Sequence, residues 1–137
     1  MPLLCAIGCE STPAASSSHN PTPAALTDPN AHAIVRTELF FGLQRDDGSP
    51  VSEEEWNQFV NDAVNVYFPT GFTVIDGQGR YRNADRKAVE ERSKVVIIFN
   101  DGTWDTLQKF DQLRRLYCQR FGPRSIIRAS TAASVTF

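Results

Sequence analysis

The chain has 137 residues, of which 41% are hydrophobic and 22% charged, so its length and composition are those of one globular domain. All 14 Lys and Arg, and all but two of the 16 Asp and Glu, fall within residues 34–137, which makes this part almost neutral. Nucleic-acid binding requires a surplus of cations to neutralise phosphates, so the composition argues against that class of function.

The first feature in chain order is a short apolar run that ends in a cysteine, and it resembles the lipidation site of bacterial lipoproteins. Ala6-Ile7-Gly8-Cys9 matches the lipobox, where a signal peptidase cuts before the cysteine and the thiol receives a diacylglyceryl group. Cys5 fits less well because the bulky Leu4 precedes it. A signal peptide needs a basic start and a longer apolar stretch, so we expect translation to begin upstream of Met1.

This resemblance implies an exported protein, anchored by lipid at Cys9 on the periplasmic or cell-surface side of a bacterial membrane. The alternative is a disordered tail with incidental cysteines. If Cys5 is removed with the signal peptide and Cys9 is acylated, Cys118 has no partner for a disulfide. Its position in a helical segment predicts a small buried hydrophobic residue rather than a nucleophile.

Composition divides the chain into three parts. Residues 1–8 read as the remnant of a lipoprotein signal peptide, residues 9–33 as a disordered Ser/Pro/Ala tether, and residues 34–137 as the folded domain, which contains every aromatic side chain. No segment approaches the roughly 20 consecutive apolar residues of a membrane-spanning helix. We therefore expect the lipid to be the contact with the membrane.

Period-two alternation predicts the first strand over residues 34–43, with Thr37, Leu39 and Phe41 on one face. The side chains on its opposite face are Arg36, Glu38, Phe40 and Gly42. A helix follows, because Ser52 and Glu55 form a capping box and apolar residues then recur at helical spacing. Pro69 and Gly71 end this helix.

The second half of the domain reads as two strands, a helix and a strand. Residues 94–99 are apolar on both faces, which predicts a central strand. Asn100, Asp101 or Thr103 can cap the next helix, which Gly122-Pro123 ends. The remaining segments are a strand at 72–76, a turn or bulge at 77–79 leading into 80–82, a charged loop to Ser93, a strand at 125–130 and an extended tail at 133–137.

The order βαββαβ predicts an α+β ferredoxin-like sandwich: a four-stranded antiparallel sheet, strand order 4-1-3-2, with two helices on one face. The other sheet face would be uncovered, yet it carries Phe40 and half of an apolar strand. Two candidates could cover it: a second copy of the chain, giving a homodimer, or the tail around Val135 and Phe137.

Four segments resemble a family of small exported bacterial proteins, domain-of-unknown-function family 3574. They are Arg36-Thr37-Glu38-Leu39-Phe40-Phe41-Gly42-Leu43, Val51-Ser52-Glu53-Glu54-Glu55-Trp56, Phe72-Thr73-Val74-Ile75-Asp76 and Glu91-Arg92-Ser93-Lys94-Val95. The resemblance covers nearly the whole domain and implies secretion and a single small domain. It implies no activity and brings no catalytic residues.

Known catalytic and metal-binding patterns are missing from the sequence of the domain. The two histidines, His19 and His32, lie in the predicted tether, which argues against a zinc site, a His-ligated haem or a Ser-His pair. Asp76-Gly77-Gln78-Gly79 predicts a hairpin turn rather than a phosphate loop, because no helix follows it. We predict no cofactor, no metal and no catalytic residue.

The candidate ligand or partner site consists of Arg36 and Glu38 on the uncovered face, with Tyr81 and Lys94. The alternative is structural: Arg36 and Glu38 pair with each other, or across strands with Lys94 or Arg128. Two functions follow. One is a non-catalytic module that binds a small ligand or an envelope protein. The other is a metal-free enzyme of the dimeric ferredoxin-like barrel type, which predicts a closed apolar pocket faced by Arg36, Glu38 or Tyr81.

Overall fold

The computed structural model describes residues 31–122 and 126–136. Cys5, Cys9, the predicted tether as far as Asn30, Pro123 and Phe137 lie outside these residues, whereas His32 and Ala33 at the end of that tether belong to the first strand. The elements are β1 (His32–Gly42), α1 (Glu53–Phe59), a π-helical turn (Val60–Val64), α2 (Asn65–Tyr67), β2 (Thr73–Arg82), β3 (Ala88–Asn100), α3 (Trp104–Phe121) and β4 (Ile127–Val135). None of the helices in this part of the chain is both long and apolar enough to cross a membrane.

The four strands form one antiparallel sheet in the order β2-β3-β1-β4, and both helical segments pack on the same face. This confirms the ferredoxin-like α+β fold and its strand order. We call the sheet face opposite the helices the open face.

The first helix begins as the capping box predicts. The Ser52 hydroxyl accepts a hydrogen bond from the Glu55 backbone N–H at 3.1 Å, and the Ser52 N–H donates to the Glu55 carboxylate at 2.9 Å. The π-helical turn follows α1 directly and continues into α2. At the second helix, Thr103 is the cap among the three candidates, and its hydroxyl accepts from the Thr106 N–H.

The core lies between the helices and one face of the sheet, where alternate residues of β1 point. Leu39 and Phe41 are completely buried, and Phe41 packs on Trp56 and Tyr117 with ring centroids 5.4 and 4.8 Å apart. Phe59 packs against the same rings. Aromatic pairs at this spacing add to the free energy that burial alone gives.

The β2–β3 hairpin is longer than the sequence analysis predicts. The turn or bulge at 77–79 and the charged loop up to Ser93 were wrong assignments, because Gly77 pairs with Ser93 and Gly79 with Glu91 in a continuous ladder. The chain reverses only between Arg82 and Ala88. Since β1 pairs with β3 no further than Ser93, the rest of the hairpin projects beyond β1.

The end of the chain also differs from the prediction. Residues 133–135 continue β4 and pair with the start of β1, where Val135 lies opposite His32. Backbone hydrogen bonding therefore keeps Val135 in the sheet plane, and this segment does not fold over the open face. The open face is uncovered by the described part of the chain.

Candidate functional site

Alternation along the hairpin sorts its side chains by charge. Residues with even numbers face the helix side, where Arg80 pairs with Glu90 and Arg92 with Glu53. In the hairpin's paired segments 77–82 and 88–93, residues with odd numbers face the open side, and they include no Lys or Arg. The open-face positions of these two segments are Gly77, Gly79, Tyr81, Val89, Glu91 and Ser93. The basic side chains of these two paired segments therefore lie on the helix side alone.

A cleft of about 390 Å³ lies on the open face where the hairpin meets the sheet. The paired strands carry three glycines there: Gly42, Gly77 and Gly79. Because these residues have no side chains, the backbone of the sheet is exposed and the surface forms a depression. We call this depression the open-face cleft; it is lined by Phe40, Gly42, Gly79, Tyr81, Glu91, Ser93 and Ile127. Its volume falls within the range of small-molecule sites, roughly 300–1,000 Å³.

Glu91 is the carboxylate of the open-face cleft. A β-carbon added to Gly42 would lie 2.9 Å from Glu91 Cδ, so the Glu91 side chain occupies space that any other residue at position 42 would fill. The Tyr81 hydroxyl donates to Glu91 Oε2 at 3.4 Å. The site therefore combines a carboxylate and a phenol with the apolar side chains of Phe40 and Ile127.

Residues 36–137 match a protein family, DUF3574, which is described as a protein of unknown function. This chain belongs to the DUF3574 family. No curated protein sequence is significantly similar to it.

Solved structures with the same architecture come from proteins of low sequence identity. A phage SAM lyase in complex with S-methyl-5′-thioadenosine is 18% identical to this DUF3574 protein, with a TM-score of 0.56 over 82% of this chain and 97% of that one. CutA from Synechococcus elongatus is 14% identical, with a TM-score of 0.50 over 77% of this chain and 83% of that one. These likenesses show the fold.

The four residues of the predicted site are not brought together in the DUF3574 domain. Tyr81 lines the open-face cleft. Arg36 and Glu38 also face the open side, but they lie about 20 and 13 Å from Gly42 along β1, at roughly 3.3 Å per residue. Lys94 lies on the helix side, opposite Phe41 and Asp76.

Arg36 and Glu38 form the mutual ion pair of the structural alternative, with Arg36 Nη2 and Glu38 Oε1 2.7 Å apart. Cross-strand pairing to Lys94 or Arg128 does not occur, because both of those side chains face the helices; Arg128 contacts Asp111 instead. Arg36 Nε is buried and finds no hydrogen-bond partner within the described residues.

Lys94 holds the sheet to the first helix. Its side chain is only 7% exposed, and Nζ donates to Asp76 Oδ1 at 2.5 Å and to Glu53 Oε2 at 2.7 Å. Burial alone lowers the pKa of the Lys94 ammonium, but its hydrogen bonds to Asp76 and Glu53 and their charges outweigh burial and raise that pKa above 10.5. The hydrogen bond and charge of Lys94 lower the pKa of Asp76 below 3.8.

The space between helices and sheet is filled by large side chains, since Trp56, Phe59 and Tyr117 are all at most 2% exposed. The open-face cleft, in contrast, lies on the outer surface of the DUF3574 domain. Among residues 31–122 and 126–136, no group of three His, Cys, Asp or Glu side chains is arranged to hold a metal ion.

Proposed function

We propose that this protein is a non-catalytic binding module that takes a ligand in the open-face cleft and is displayed from a membrane surface by lipid at Cys9. The observation that carries the proposal is the cleft itself: apolar walls from Phe40 and Ile127, with Glu91 and Ser93 between them. Sites for small molecules combine apolar surface with a few polar groups that fix orientation, which is the composition here.

The filled core favours binding over the enzyme alternative. That alternative requires a closed pocket between sheet and helices, where water is excluded around reacting groups. Here that volume contains packed aromatic rings such as Phe41 and Tyr117, and the cleft on the opposite face is open to solvent.

Saturation-transfer NMR with benzyl alcohol, a neutral aromatic probe, tests the cleft in the full chain. We expect saturable binding that weakens at least threefold in Tyr81→Ala and in Ile127→Ser. Ile75→Ser is the matched control, since Ile75 is 47% exposed on the same face but lies outside the cleft lining. Equal binding by all four proteins would contradict the proposal.

The lipid anchor rests on the resemblance of residues 6–9 to a lipobox. Two or more acyl chains are needed for durable membrane attachment, and lipoprotein maturation supplies them at one cysteine. Feeding bacterial cells that express the protein with alkyne-tagged palmitate should label the wild type and Cys5→Ser but not Cys9→Ser. Label that persists in Cys9→Ser would remove the anchor from the proposal.

We further propose that two copies associate through the end of the open face away from the cleft. Phe99 is exposed there beside the Arg36–Glu38 pair, and around a twofold axis the Arg36 of each copy can meet the Glu38 of the other. Light scattering should give twice the chain mass, and Phe99→Glu should halve it. A monomeric wild type would contradict this association.

A further inference from the structure

We propose that Trp104 is a second point of contact with the membrane, where its indole ring enters the headgroup region of the bilayer to which lipid at Cys9 attaches the protein. The inference rests on the lipid anchor of the proposed function, and it adds the end of the domain that faces the lipids. It is drawn from the exposure of Trp104, its position in the fold and the contacts that fix this position.

The exposure of Trp104 leaves a large apolar ring in water. Trp104 is the most exposed large hydrophobic side chain in the described part of the chain, at 71%, whereas Trp56 in the core is 2% exposed. Val66, which is 65% exposed, lies at the same end of the domain, since Tyr67 and Thr106 line one surface depression. Tryptophan is enriched at membrane surfaces, because its ring is apolar and its N–H can donate to a headgroup.

Trp104 lies at the end of the domain where the predicted tether joins it. The tether leads from Cys9 into β1, which begins at His32. The loop before α3 packs on this first part of β1, where a β-carbon added to Gly102 would lie 2.9 Å from Val35 Cγ2. An anchor at Cys9 therefore brings this end of the domain to the membrane more readily than the end from which the β2–β3 hairpin projects.

Hydrogen bonds fix the start of α3 on β1. The Asn100 side-chain amide donates to the Val35 carbonyl oxygen at 3.1 Å, and its oxygen accepts from the Gly102 N–H at 3.0 Å. Thr103 then caps the helix. The Cα–Cβ bonds of a helix tilt towards its N-terminus, so the Trp104 side chain leaves the first turn towards this end of the domain. A ring on a rigid support loses little entropy on binding.

The attraction is apolar rather than electrostatic. Asp105 and Lys109 follow Trp104 in α3 and are both exposed, so this part of the helix presents no surplus of positive charge to anionic lipids. A single indole ring binds a bilayer weakly. The anchor offsets this weakness, because a tether keeps the local concentration of lipid high. We therefore expect a contact that orients the anchored domain.

The test is fluorescence quenching by phosphatidylcholine vesicles with brominated acyl chains, which quench a tryptophan that enters the bilayer. The full chain carries Cys9→Ser, so that no acyl group contributes. We expect saturable, partial quenching, and none when Trp104→Ser is added, since that protein keeps only the buried Trp56. Absence of quenching in the first protein, or equal quenching in both, would overturn the inference. Palmitate labelling and benzyl alcohol binding test the proposed function separately.

Two further variants locate the contact with the native tryptophans in place. Val66→Ser should lower the partition coefficient into the vesicles at least twofold. Ile127→Ser is the matched control, because Ile127 is 62% exposed but pairs with Phe40 towards the other end of the sheet, and it should leave the coefficient unchanged. Far-UV circular dichroism verifies that each variant folds. Equal weakening by both variants would overturn the assignment of the contact to the Trp104 end, even if Trp104→Ser does not fold.

Discussion

The Glu91 side chain lies over Gly42, in the space that a β-carbon at position 42 would occupy. The two residues are brought together by the pairing of β1 with β3, in which Gly42 lies opposite Ser93. A glycine at the end of a strand thus determines where a carboxylate stands on the open face. This relationship allows the position of Glu91 to be changed without changing Glu91.

Gly42→Ala should displace the Glu91 carboxylate at little cost in stability. The added methyl group meets the flexible end of a side chain, so we expect the free energy of unfolding to change by less than about 1 kcal/mol. In the saturation-transfer experiment with benzyl alcohol, binding should weaken at least threefold, because the added methyl group and the displaced carboxylate take up part of the open-face cleft. An affinity equal to that of the wild type would contradict the placement of Glu91 in the cleft.

Lys94→Met should destabilise the domain by about 1–3 kcal/mol, since it removes two charge-assisted hydrogen bonds from a buried position. Arg92→Met is the comparison, because Arg92 pairs with the same Glu53 but is 70% exposed. Exposed ion pairs contribute about 0–1 kcal/mol. Urea denaturation measures both, and an equal loss in the two variants would contradict the structural role of Lys94.

The Asp76 carboxylate should make stability depend on acid pH. Its pKa is lowered in the folded state by the hydrogen bond and charge of Lys94. A depressed pKa stabilises the folded state above the unfolded value near 3.8, and this contribution is lost as the pH falls through the lowered pKa. The stability difference between wild type and Asp76→Asn should therefore vanish at low pH. In a Lys94→Met background we expect this pH dependence to be largely absent.

Tyr117→Phe should cost about 1–2 kcal/mol, because the completely buried Tyr117 donates its hydroxyl to the Gly42 carbonyl oxygen at 2.6 Å. Tyr67→Phe, at the partly buried edge of the same core, should change stability by less than about 0.5 kcal/mol. Chemical denaturation compares the two. A Tyr117→Phe variant as stable as wild type would show that this hydrogen bond does not help to hold α3 to the end of β1.

Local patterns in the sequence were sufficient to predict most of the architecture. The alternation around Leu39 and Phe41 assigns the buried face of β1, and Ser52 with Glu55 places the start of the first helix. Both signals act within a few residues, so they do not depend on the rest of the fold. The order of the elements then restricts the topology.

The hairpin was assigned incorrectly because glycines and charges usually indicate turns and loops. Gly77 and Gly79 instead continue the ladder opposite Ser93 and Glu91. The available signal was the alternation of residues 89–93, in which Val89, Glu91 and Ser93 share one face and Glu90 and Arg92 share the other. Without that strand, Glu91 could not be recognised as part of a site.

The position of Lys94 was beyond local reasoning. Lys94 directly precedes an apolar run, and its burial depends on Glu53 and Asp76, which are 41 and 18 residues away in sequence. Only the register of β2 against β3 and the placement of the first helix bring these three groups together. The same holds for Ile127, which reaches the cleft through its pairing with Phe40.

The most direct test of the open-face cleft as the binding surface is chemical-shift mapping of benzyl alcohol on the isotope-labelled full chain. We predict saturable shifts at Tyr81, Ser93 and Ile127, with Trp104 and Arg115 on the helix side unaffected. Shifts confined to the helix side, such as the surface depression at Arg114, Arg115 and Cys118, would contradict the account.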